Sequence, residues 1–422
     1  MEDQKDDDLT IMQQKLLNGV AYESLPETSI AVSRTFKKNY FQKDSYTSSN
    51  NEAICDINTG AEFINPRRSY LTFGVTCSGD ANFGHGGATN LIKRVVITSR
   101  SGTEISRTEE YNTLTCKAYR YGCSRSSVQQ FGQLMGFTDV AAEQKSDHAQ
   151  LSTTRKQFVI PLTMLSPFFS GDGKALIPPQ LAAGLRVQLT FESDARALVA
   201  AAARTYTIDQ ISIVTNVTTM IDSWQKQINE ESARDGLTYS FPEWHTTQSN
   251  SGAGTRLNVE VRKAVARAMM AFTVTQSKAN VITDDNMKSD AYSATSVQYR
   301  LGSLYPTQQP ITTVQEGYFL AQSAFDADVL DCKRTNDVSL TSFSDSTAAS
   351  TGAADGDSVC AVSLERNDVA INGVLNIGGL PTNNSRVLAV DIDGVAAAST
   401  TYLFMKHLRV VKAFVDNVSV SE

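Results

Sequence analysis

Apolar and polar residues alternate one by one in several segments of this chain, and this period of two restricts the possible folds strongly. Residues 185–192 read Leu-Arg-Val-Gln-Leu-Thr-Phe-Glu, without a break in the alternation. Residues 71–77 and 257–261 repeat the pattern. Successive side chains of a strand point to opposite faces, so these segments predict strands with one buried and one hydrated face. Antiparallel sheets that are packed on one side have this pattern.

Helical signals are few, and the clearest one lies near the middle of the chain. The segment from Asp222 to Arg234 has Asp222 as a candidate N-cap, Gln225 three residues later and Gly236 as a stop signal. The regular alternation of strands and helices that builds parallel sheets is missing. The sequence therefore predicts an all-β fold with few short helices.

The length of 422 residues exceeds what one sandwich needs, because single hydrophobic cores stop growing near ~250–300 residues. We therefore predict two sandwiches, over residues 51–235 and 236–422, that meet near the central helix. Residues 1–50 are predicted to form an N-terminal arm, since they begin with acidic residues and end in a polar stretch. Residues 339–358 consist largely of Ser, Thr, Ala, Gly and Asp and are predicted to be a long exposed loop.

The charge balance is acidic, with 38 basic against 45 acidic residues and a net charge of -7. Broad coating of nucleic acid needs many Lys and Arg to neutralise phosphates, so packaging of the genome is not expected to be the main task. No sequence-specific nucleic acid is expected as a partner. One local basic cluster lies beside aromatic residues in the predicted arm: Arg34, Lys37, Lys38 and Lys43, with Phe36, Tyr40 and Phe41. A solvated arm or a docking segment explains this cluster better than specific nucleic-acid binding.

No motif of a catalytic or cofactor site is present. The sequence contains neither the glycine-rich phosphate-binding loop nor the GxSxG nucleophile motif, and the run Gly84-His85-Gly86-Gly87 lacks the spacing of a dinucleotide fingerprint. Its four histidines lie in no recognisable arrangement for a hydrolytic triad. We therefore predict no catalytic residue, no cofactor and no enzymatic activity.

Metal binding is not predicted either. Six cysteines occur without a CxxC pair, so zinc ligands are missing and mostly reduced thiols are expected. Calcium favours oxygen ligands, and three acidic groups contain two aspartates each: Asp284 with Asp285, Asp326 with Asp328, and Asp355 with Asp357. None matches the twelve-residue calcium loop, and turn-forming aspartates in exposed loops explain them better.

Two neighbouring segments of the first half carry a family resemblance. Residues 158–169 read Phe-Val-Ile-Pro-Leu-Thr-Met-Leu-Ser-Pro-Phe-Phe, and residues 176–189 read Leu-Ile-Pro-Pro-Gln-Leu-Ala-Ala-Gly-Leu-Arg-Val-Gln-Leu. This resembles a signature of double jelly-roll major capsid proteins, in which a strand ending in Ile-Pro-Leu leads to paired aromatics, a Leu-Pro turn and an alternating strand. Pro161 cannot donate to a sheet ladder and so ends a strand, and the apolar segment after it can cap the open end of the sandwich.

Three further segments resemble the same family in the expected order. Residues 88–112 resemble the early hairpin of the first jelly roll, and residues 299–311 resemble a loop of the second domain, with a Tyr-Pro step before Pro-Ile. Residues 383–388 resemble a segment that leads into a late strand. The combination is most similar to proteins of Polinton-like viruses, virophages and adintoviruses.

The resemblance implies an all-β fold of two tandem eight-stranded jelly-roll β-sandwiches. It also implies a viral major capsid protein that assembles as pseudo-hexameric homotrimers, tiles an icosahedral shell around the genome, and contacts neighbouring capsomers, penton and minor capsid proteins. Such a protein is made and assembled inside the host cell and resides in the virion; an inner membrane beneath the shell is left open. Two alternative functions remain open: a penton, fibre or receptor-attachment protein of a virion, and a β-sandwich glycan-binding or glycan-active protein.

Overall fold

Antiparallel strands dominate the chain. In the computed structural model of the protein, the described residues are 31–137, 150–170, 176–251, 257–261, 266–276, 281–290, 296–325, 338–344, 355–365, 379–382, 386–394, 399–414 and 418–421. The predicted alternating segments at 71–77, 185–191 and 257–261 all lie in strands. The alternation therefore located strands correctly in both halves of the chain.

The first half forms one jelly roll. Its strands in chain order are β1 (Ala31–Tyr40), β2 (Ser45–Tyr46), β3 (Glu52–Ile57), β4 (Phe63–Cys77), β5 (Ala81–Asn82), β6 (Ile92–Thr98), β7 (Glu104–Thr108), β8 (Gln150–Leu151), β9 (Lys156–Pro161), β10 (Leu185–Phe191) and β11 (Tyr206–Met220). Two sheets pair in the orders β1-β11-β4-β9 and β3-β10-β6-β7. Because the chain crosses between the sheets at nearly every connection of these eight strands, the order is that of an eight-stranded jelly roll.

The second half repeats this order. Its strands are β12 (Leu237–Ser251), β13 (Leu257–Val261), β14 (Ala266–Gln276), β15 (Ser289–Asp290), β16 (Ser296–Leu301), β17 (Asp355–Gly356), β18 (Cys360–Ser363), β19 (Leu380–Thr382), β20 (Leu388–Asp393), β21 (Ser399–Ala413) and β22 (Val418–Ser421). Its sheets pair as β12-β21-β14-β18 and β13-β20-β16. Among the described residues, the strand expected beside β16 is reduced to a single bridge between Val297 and Ile311. The predicted fold of two tandem jelly rolls is confirmed.

Short helices connect the strands. They are α1 (Tyr111–Gly122), α2 (Arg125–Gln130), α3 (Leu162–Leu165), α4 (Pro167–Ser170), α5 (Pro179–Ala182), α6 (Asp194–Ala197), α7 (Asp222–Arg234), α8 (Val314–Ala324) and α9 (Leu340–Ser344), with 3-10 helices at Gly84–Leu91 and Gly132–Met135. Helix α7 has the predicted bounds, but its N-cap is Ile221 without a side-chain cap hydrogen bond, so the capping role of Asp222 was wrong. Asp222 instead places its charge in the first turn, where the helix dipole favours it. Within the described ranges, no helix is long and apolar enough to cross a membrane.

The predicted arm of residues 1–50 contains a strand of the first sandwich. β1 pairs antiparallel with β11, with Tyr40 opposite Ser212 and Ala31 opposite Met220. Its side chains are exposed or half-exposed on both faces, so no alternation marks the strand in the sequence. The first sandwich therefore begins earlier than predicted, and residues 1–30 lie outside the described residues. The division of the chain into two domains at residue 235 stays a prediction.

The predicted exposed loop at 339–358 has buried ends. Phe343 in α9 is buried, and Asp357 is buried directly after β17. Residues 345–354 lie outside the described residues. The prediction was wrong for the two ends because a polar composition does not reveal that one aromatic and one charged side chain find partners elsewhere in the fold.

Among the residues that the structure describes, three hydrophobic clusters form the core, and two of them cross between the halves. The first fills the first sandwich and includes Tyr239 and Phe241 of β12. The second lies inside the second sandwich. The third lies on the opposite face of β21, where Phe404 packs in one cluster with Leu114 and Tyr121 of α1. The two sandwiches therefore share hydrophobic cores.

Candidate functional site at the junction of the two sandwiches

Three residues that are far apart in the sequence meet between the two sandwiches: His85, Asp285 and Asp357. His85 Nδ1 lies 2.8 Å from Asp285 Oδ2, and His85 Nε2 lies 3.8 Å from Asp357 Oδ2. The backbone N–H of His85 donates to the same Asp285 oxygen over 2.8 Å. Because an ionised carboxylate only accepts hydrogen bonds, this contact places an imidazole proton on Nδ1. The expectation that these aspartates lie in exposed loops was wrong, because both pack against the first sandwich.

Helix α1 supplies two cations to the same place. Lys117 Nζ lies 3.0 Å from Asp357 Oδ1 and donates to Ser289 Oγ over 3.2 Å. Arg120 donates to the carbonyl oxygen of His85 from Nη2 and Nε, over 2.8 and 3.2 Å. Both cations are fully buried, and a buried charge needs such partners because it has lost its water. The junction cluster is defined as His85, Lys117, Arg120, Asp285 and Asp357.

Burial and neighbouring charges set the ionisation of the junction cluster. Burial is the largest effect on His85 and lowers its pKa, although Asp357 and Asp285 raise it. Burial acts to raise the pKa of Asp357, but Lys117, His85 and Arg120 together hold it well below the ordinary value of a carboxyl group. At neutral pH the cluster therefore contains a neutral imidazole beside a buried Lys117–Asp357 ion pair, and it connects the two halves of the chain.

The apolar segment after Pro161 also reaches the second sandwich. The ring of Phe168 in α4 has its centroid 5.5 Å from the ring centroids of both Tyr239 and Phe241. Tyr239 Oη donates to the carbonyl oxygen of Phe168 over 2.9 Å. The sequence predicts only that this segment closes the first sandwich. Its contact with β12 could not be predicted, because no local pattern indicates which distant strand covers an apolar segment.

A second ion pair joins the halves beside β7. Glu243 of β12 and Arg409 of β21 pair with each other. Glu243 Oε1 also accepts a hydrogen bond from the backbone N–H of Arg107 over 2.8 Å, and Arg409 donates to the carbonyl oxygen of Glu104 over 3.3 Å. Glu243 is buried, so the backbone of β7 supplies part of the hydrogen bonding that water would otherwise provide. Polar contacts therefore fix the junction on this side as well.

A cleft of about 700 Å³ lies along the junction beside α1. Much of its lining is aromatic or methionine: Tyr111, Tyr119, Tyr121, Trp244, Phe325, Met164, Met269 and Met270. Its charged lining residues are Glu365 and Lys406. Glycoside hydrolysis uses two carboxyl groups, whereas the described lining of this cleft contains one. The cleft therefore does not favour the glycan-active alternative.

His85, Asp285 and Asp357 meet at the junction but do not form a metal site in the part of the chain that the structure describes. There, no group of three or more His, Cys, Asp or Glu side chains is arranged to hold a metal ion. The described cysteines are free thiols: Cys55, Cys77, Cys116, Cys123 and Cys360. Burial raises the pKa of the Cys360 thiol to about 12 and that of Cys116 to about 11. These thiols therefore stay protonated at neutral pH and are poor nucleophiles.

The strand order and the shared cores define a double jelly-roll protein. No protein-family model and no curated protein matches the chain. The structure of VP54 of PBCV-1, fitted into a cryo-EM reconstruction of the virophage Sputnik, is 12% identical, has a TM-score of 0.61, and covers 95% of this chain and 99% of its own.

Two other solved structures have a similar fold. The quasi-atomic model of the PBCV-1 virus capsid is 11% identical, with a TM-score of 0.62 and coverage of 95% and 99%. The crystal structure of the mavirus major capsid protein is 12% identical, with a TM-score of 0.54 and coverage of 95% and 93%. At these identities the likeness shows a shared fold along nearly the whole chain.

Proposed function

We propose that this protein is a viral major capsid protein that assembles as pseudo-hexameric homotrimers and tiles an icosahedral shell around the genome. The observation that carries the proposal is the pair of jelly rolls with shared cores, a fold found in the capsid of PBCV-1 and in the mavirus major capsid protein over 95% of this chain. Three copies with two sandwiches each present six similar edges to their neighbours, which suits a hexagonal lattice.

The junction supports this role through its rigidity. A regular six-sided outline requires a fixed angle between the two sandwiches of each copy. Rotation of one sandwich against the other would separate the buried Lys117–Asp357 ion pair and the packed rings of Phe168 and Phe241. Both losses are costly in a closely packed, water-free interior. The junction therefore acts as a structural joint and not as a catalytic centre.

The proposal includes partners and a location. The protein contacts neighbouring capsomers, penton proteins and minor capsid proteins, is synthesised and assembled inside the host cell, and resides in the virion. It acts by assembling and not as an enzyme. Phe131, Tyr305 and Phe319 have exposed aromatic rings, which are enriched in interfaces between proteins and are available for contacts between copies.

The first test is the mass of the purified full-length protein by size-exclusion chromatography with light scattering. We expect a particle of about 138 kDa, three copies of the 45.9-kDa chain, with a six-sided outline in negative stain. A monomer that stays monomeric over the whole accessible concentration range would contradict the proposal. Activity on glycans in that monomer would favour the glycan-active alternative.

A further inference from the structure

The two sandwiches contain a helix at the same point of the strand order. Helix α1 lies between β7 and β9, and α8 lies between Ile311 and β18. β7 pairs with β6, and Ile311 forms a bridge with β16, the equivalent strand of the second sandwich. Helix α1 begins at Tyr111, three residues after the end of β7, and α8 begins at Val314, three residues after Ile311. The two helices are therefore equivalent elements of an internal repeat.

Helix α1 is buried on two sides. Tyr111 and Tyr119 belong to the core of the first sandwich. Leu114 and Tyr121 pack in one cluster with Phe272 of β14. Neighbouring residues of β14 alternate between this cluster and the inner core of the second sandwich. Helix α1 therefore covers the outer face of the sheet that contains β12, β21 and β14.

Helix α8 has one buried side and one exposed side. Ala321 and Ala324 are buried in the third hydrophobic cluster, whereas Phe319 is 57% exposed. Glu316 is exposed as well and lies three residues before Phe319, so the two side chains share one face of the helix. The side of α8 that points away from its own sandwich thus presents an aromatic ring and a negative charge.

The outer face of β1 has matching properties. Strand β1 is the equivalent of β12, since each pairs with the last long strand of its sandwich. Thr35 is paired with Val217, which belongs to the first core, so the alternate residues of β1 face outward. Phe36 is 59% exposed and Tyr40 is 69% exposed. The outward residues include two aromatic and two basic side chains: Arg34, Phe36, Lys38 and Tyr40.

Charge determines which surface of another copy fits this face. A second β1 face would bring Arg34 and Lys38 against the same cations, which is unfavourable. The exposed face of α8 has the opposite charge at Glu316. It also offers the ring of Phe319, and aromatic rings pack favourably against one another. The face of α8 is therefore complementary to the outer face of β1 in both charge and apolar character.

We propose that α8 of one copy packs on the outer face of β1 of the next copy. Phe319 then lies against Phe36 and Tyr40, and Glu316 lies beside Arg34. The contact repeats between copies what α1 does within one chain, so each copy uses two different surfaces and three copies can close into a ring. This inference rests on the proposed homotrimer and names the surfaces that hold it together. The contact strengthens association and leaves the unfolding of the isolated chain unchanged.

Light scattering of full-length variants tests the contact, at a concentration at which the wild type is a trimer. Phe319→Asp and Tyr40→Asp each place a carboxylate among apolar rings, so the mass should fall from about 138 kDa toward the 45.9 kDa of one chain. Leu134→Asp is the control, because Leu134 is 52% exposed and belongs to neither surface, and it should remain a trimer. Circular dichroism verifies that the variants are folded.

The outcomes separate this contact from the proposed function. A trimeric wild type together with trimeric Phe319→Asp and Tyr40→Asp variants would overturn the contact and leave the capsid function standing. A monomeric wild type would overturn both.

A mixture of the two variants tests the direction of the contact. Phe319→Asp keeps an intact β1 face, and Tyr40→Asp keeps an intact α8, so the mixture can form one unmodified contact. We expect a species of two copies, about 92 kDa, that neither variant forms alone. A two-copy species in one variant alone would indicate a contact between identical surfaces and overturn the proposal.

Reversal of the charges tests the placement of Glu316. Arg34→Glu and Glu316→Arg should each raise the dissociation constant of the trimer several-fold, because like charges then meet at every contact. The two substitutions together in one chain should restore most of the affinity. A double variant that associates more weakly than either single variant would overturn this placement.

Discussion

Strands β1 and β12 occupy the same position in the two jelly rolls, yet their surroundings differ. Each pairs with the last long strand of its own sandwich, β11 or β21. Phe36 of β1 is exposed, whereas Tyr239 and Phe241 of β12 are buried against the first sandwich. The same strand order therefore gives a strand with exposed side chains in one sandwich and a strand with a covered face in the other. What covers a strand is decided by the neighbouring domain and not by topology.

The largest loss of stability is expected when the packing of Phe168 on β12, the covered strand, is removed. Phe168→Ala should lower the free energy of unfolding by about 3–5 kcal/mol, because it leaves a cavity between α4 and β12. Chemical denaturation of the full-length protein measures this change. Leu134→Ala is the control, since Leu134 is 52% exposed, and its effect should stay within about 0.5 kcal/mol. Similar effects of the two substitutions would show that the covered strand does not depend on Phe168.

A loss of about 3 kcal/mol is expected for Asp357→Asn, because it leaves the charge of Lys117 buried without its counterion. The same denaturation experiment measures it. Asp56→Asn removes the partner of Arg186 in an exposed ion pair and serves as the control, for which we expect no measurable change in the midpoint. The double variant Lys117→Met with Asp357→Leu should regain most of the stability. A double variant as unstable as Asp357→Asn would contradict the role assigned to the buried charge.

Acid should weaken the junction by a smaller amount than Asp357→Asn. The folded state lowers the pKa of His85, so below the ordinary value of 6.5 the unfolded chain takes up a proton first and stability falls. The pKa of Asp357 is also lowered in the folded state, so its contribution is present above 3.8 and is lost as pH falls further. Denaturation midpoints between pH 7 and about pH 2 measure the first step and the beginning of the second, which continues as pH falls further below 3.8. The double variant Lys117→Met with Asp357→Leu should lack the loss of stability below pH 3.8. If the double variant loses as much stability there as the wild type, other carboxyl groups cause the loss.

The smallest loss of stability is expected at the exposed side chains of β1 in the isolated chain. Phe36→Ala should change the free energy of unfolding by less than about 0.5 kcal/mol, because its ring is already exposed to water. Phe241→Ala, in the equivalent strand, should cost at least about 3 kcal/mol. Parallel denaturation of the two variants compares the strands directly. A loss at Phe36 as large as that at Phe241 would mean that β1 is covered, and the contrast between the two sandwiches would disappear.

Local patterns predicted local structure well. The bounds of α7 follow from a polar start and a glycine stop, and β10 follows from strict alternation between Leu185 and Phe191. β1 was placed in an arm because both of its faces are exposed, so the alternation that marks a half-buried strand is absent. The sequence therefore predicts strands correctly where burial of one face produces an alternation of apolar and polar residues. It does not predict a strand such as β1, in which neither face is buried.

The junction could not be predicted, because its partners are far apart in the chain. His85 and Asp285 are separated by 200 residues, and Lys117 and Asp357 by 240. The local sequence around each of these residues gives no sign of a buried charge cluster: the histidine lies between glycines, the lysine on a helix, and the aspartates in turn-like segments. The cluster forms only when the two sandwiches pack together and bury all of these side chains.

The sequence by itself determined the all-β class, the presence of two sandwiches and the resemblance to capsid proteins, since these depend on period, length and ordered motifs. Only the tertiary structure decided which sheet faces are covered and which charges lie together. The physical reason is that alternation records whether a side chain is buried but not what buries it. Identical strand orders therefore gave exposed side chains at β1 and a covered face at β12.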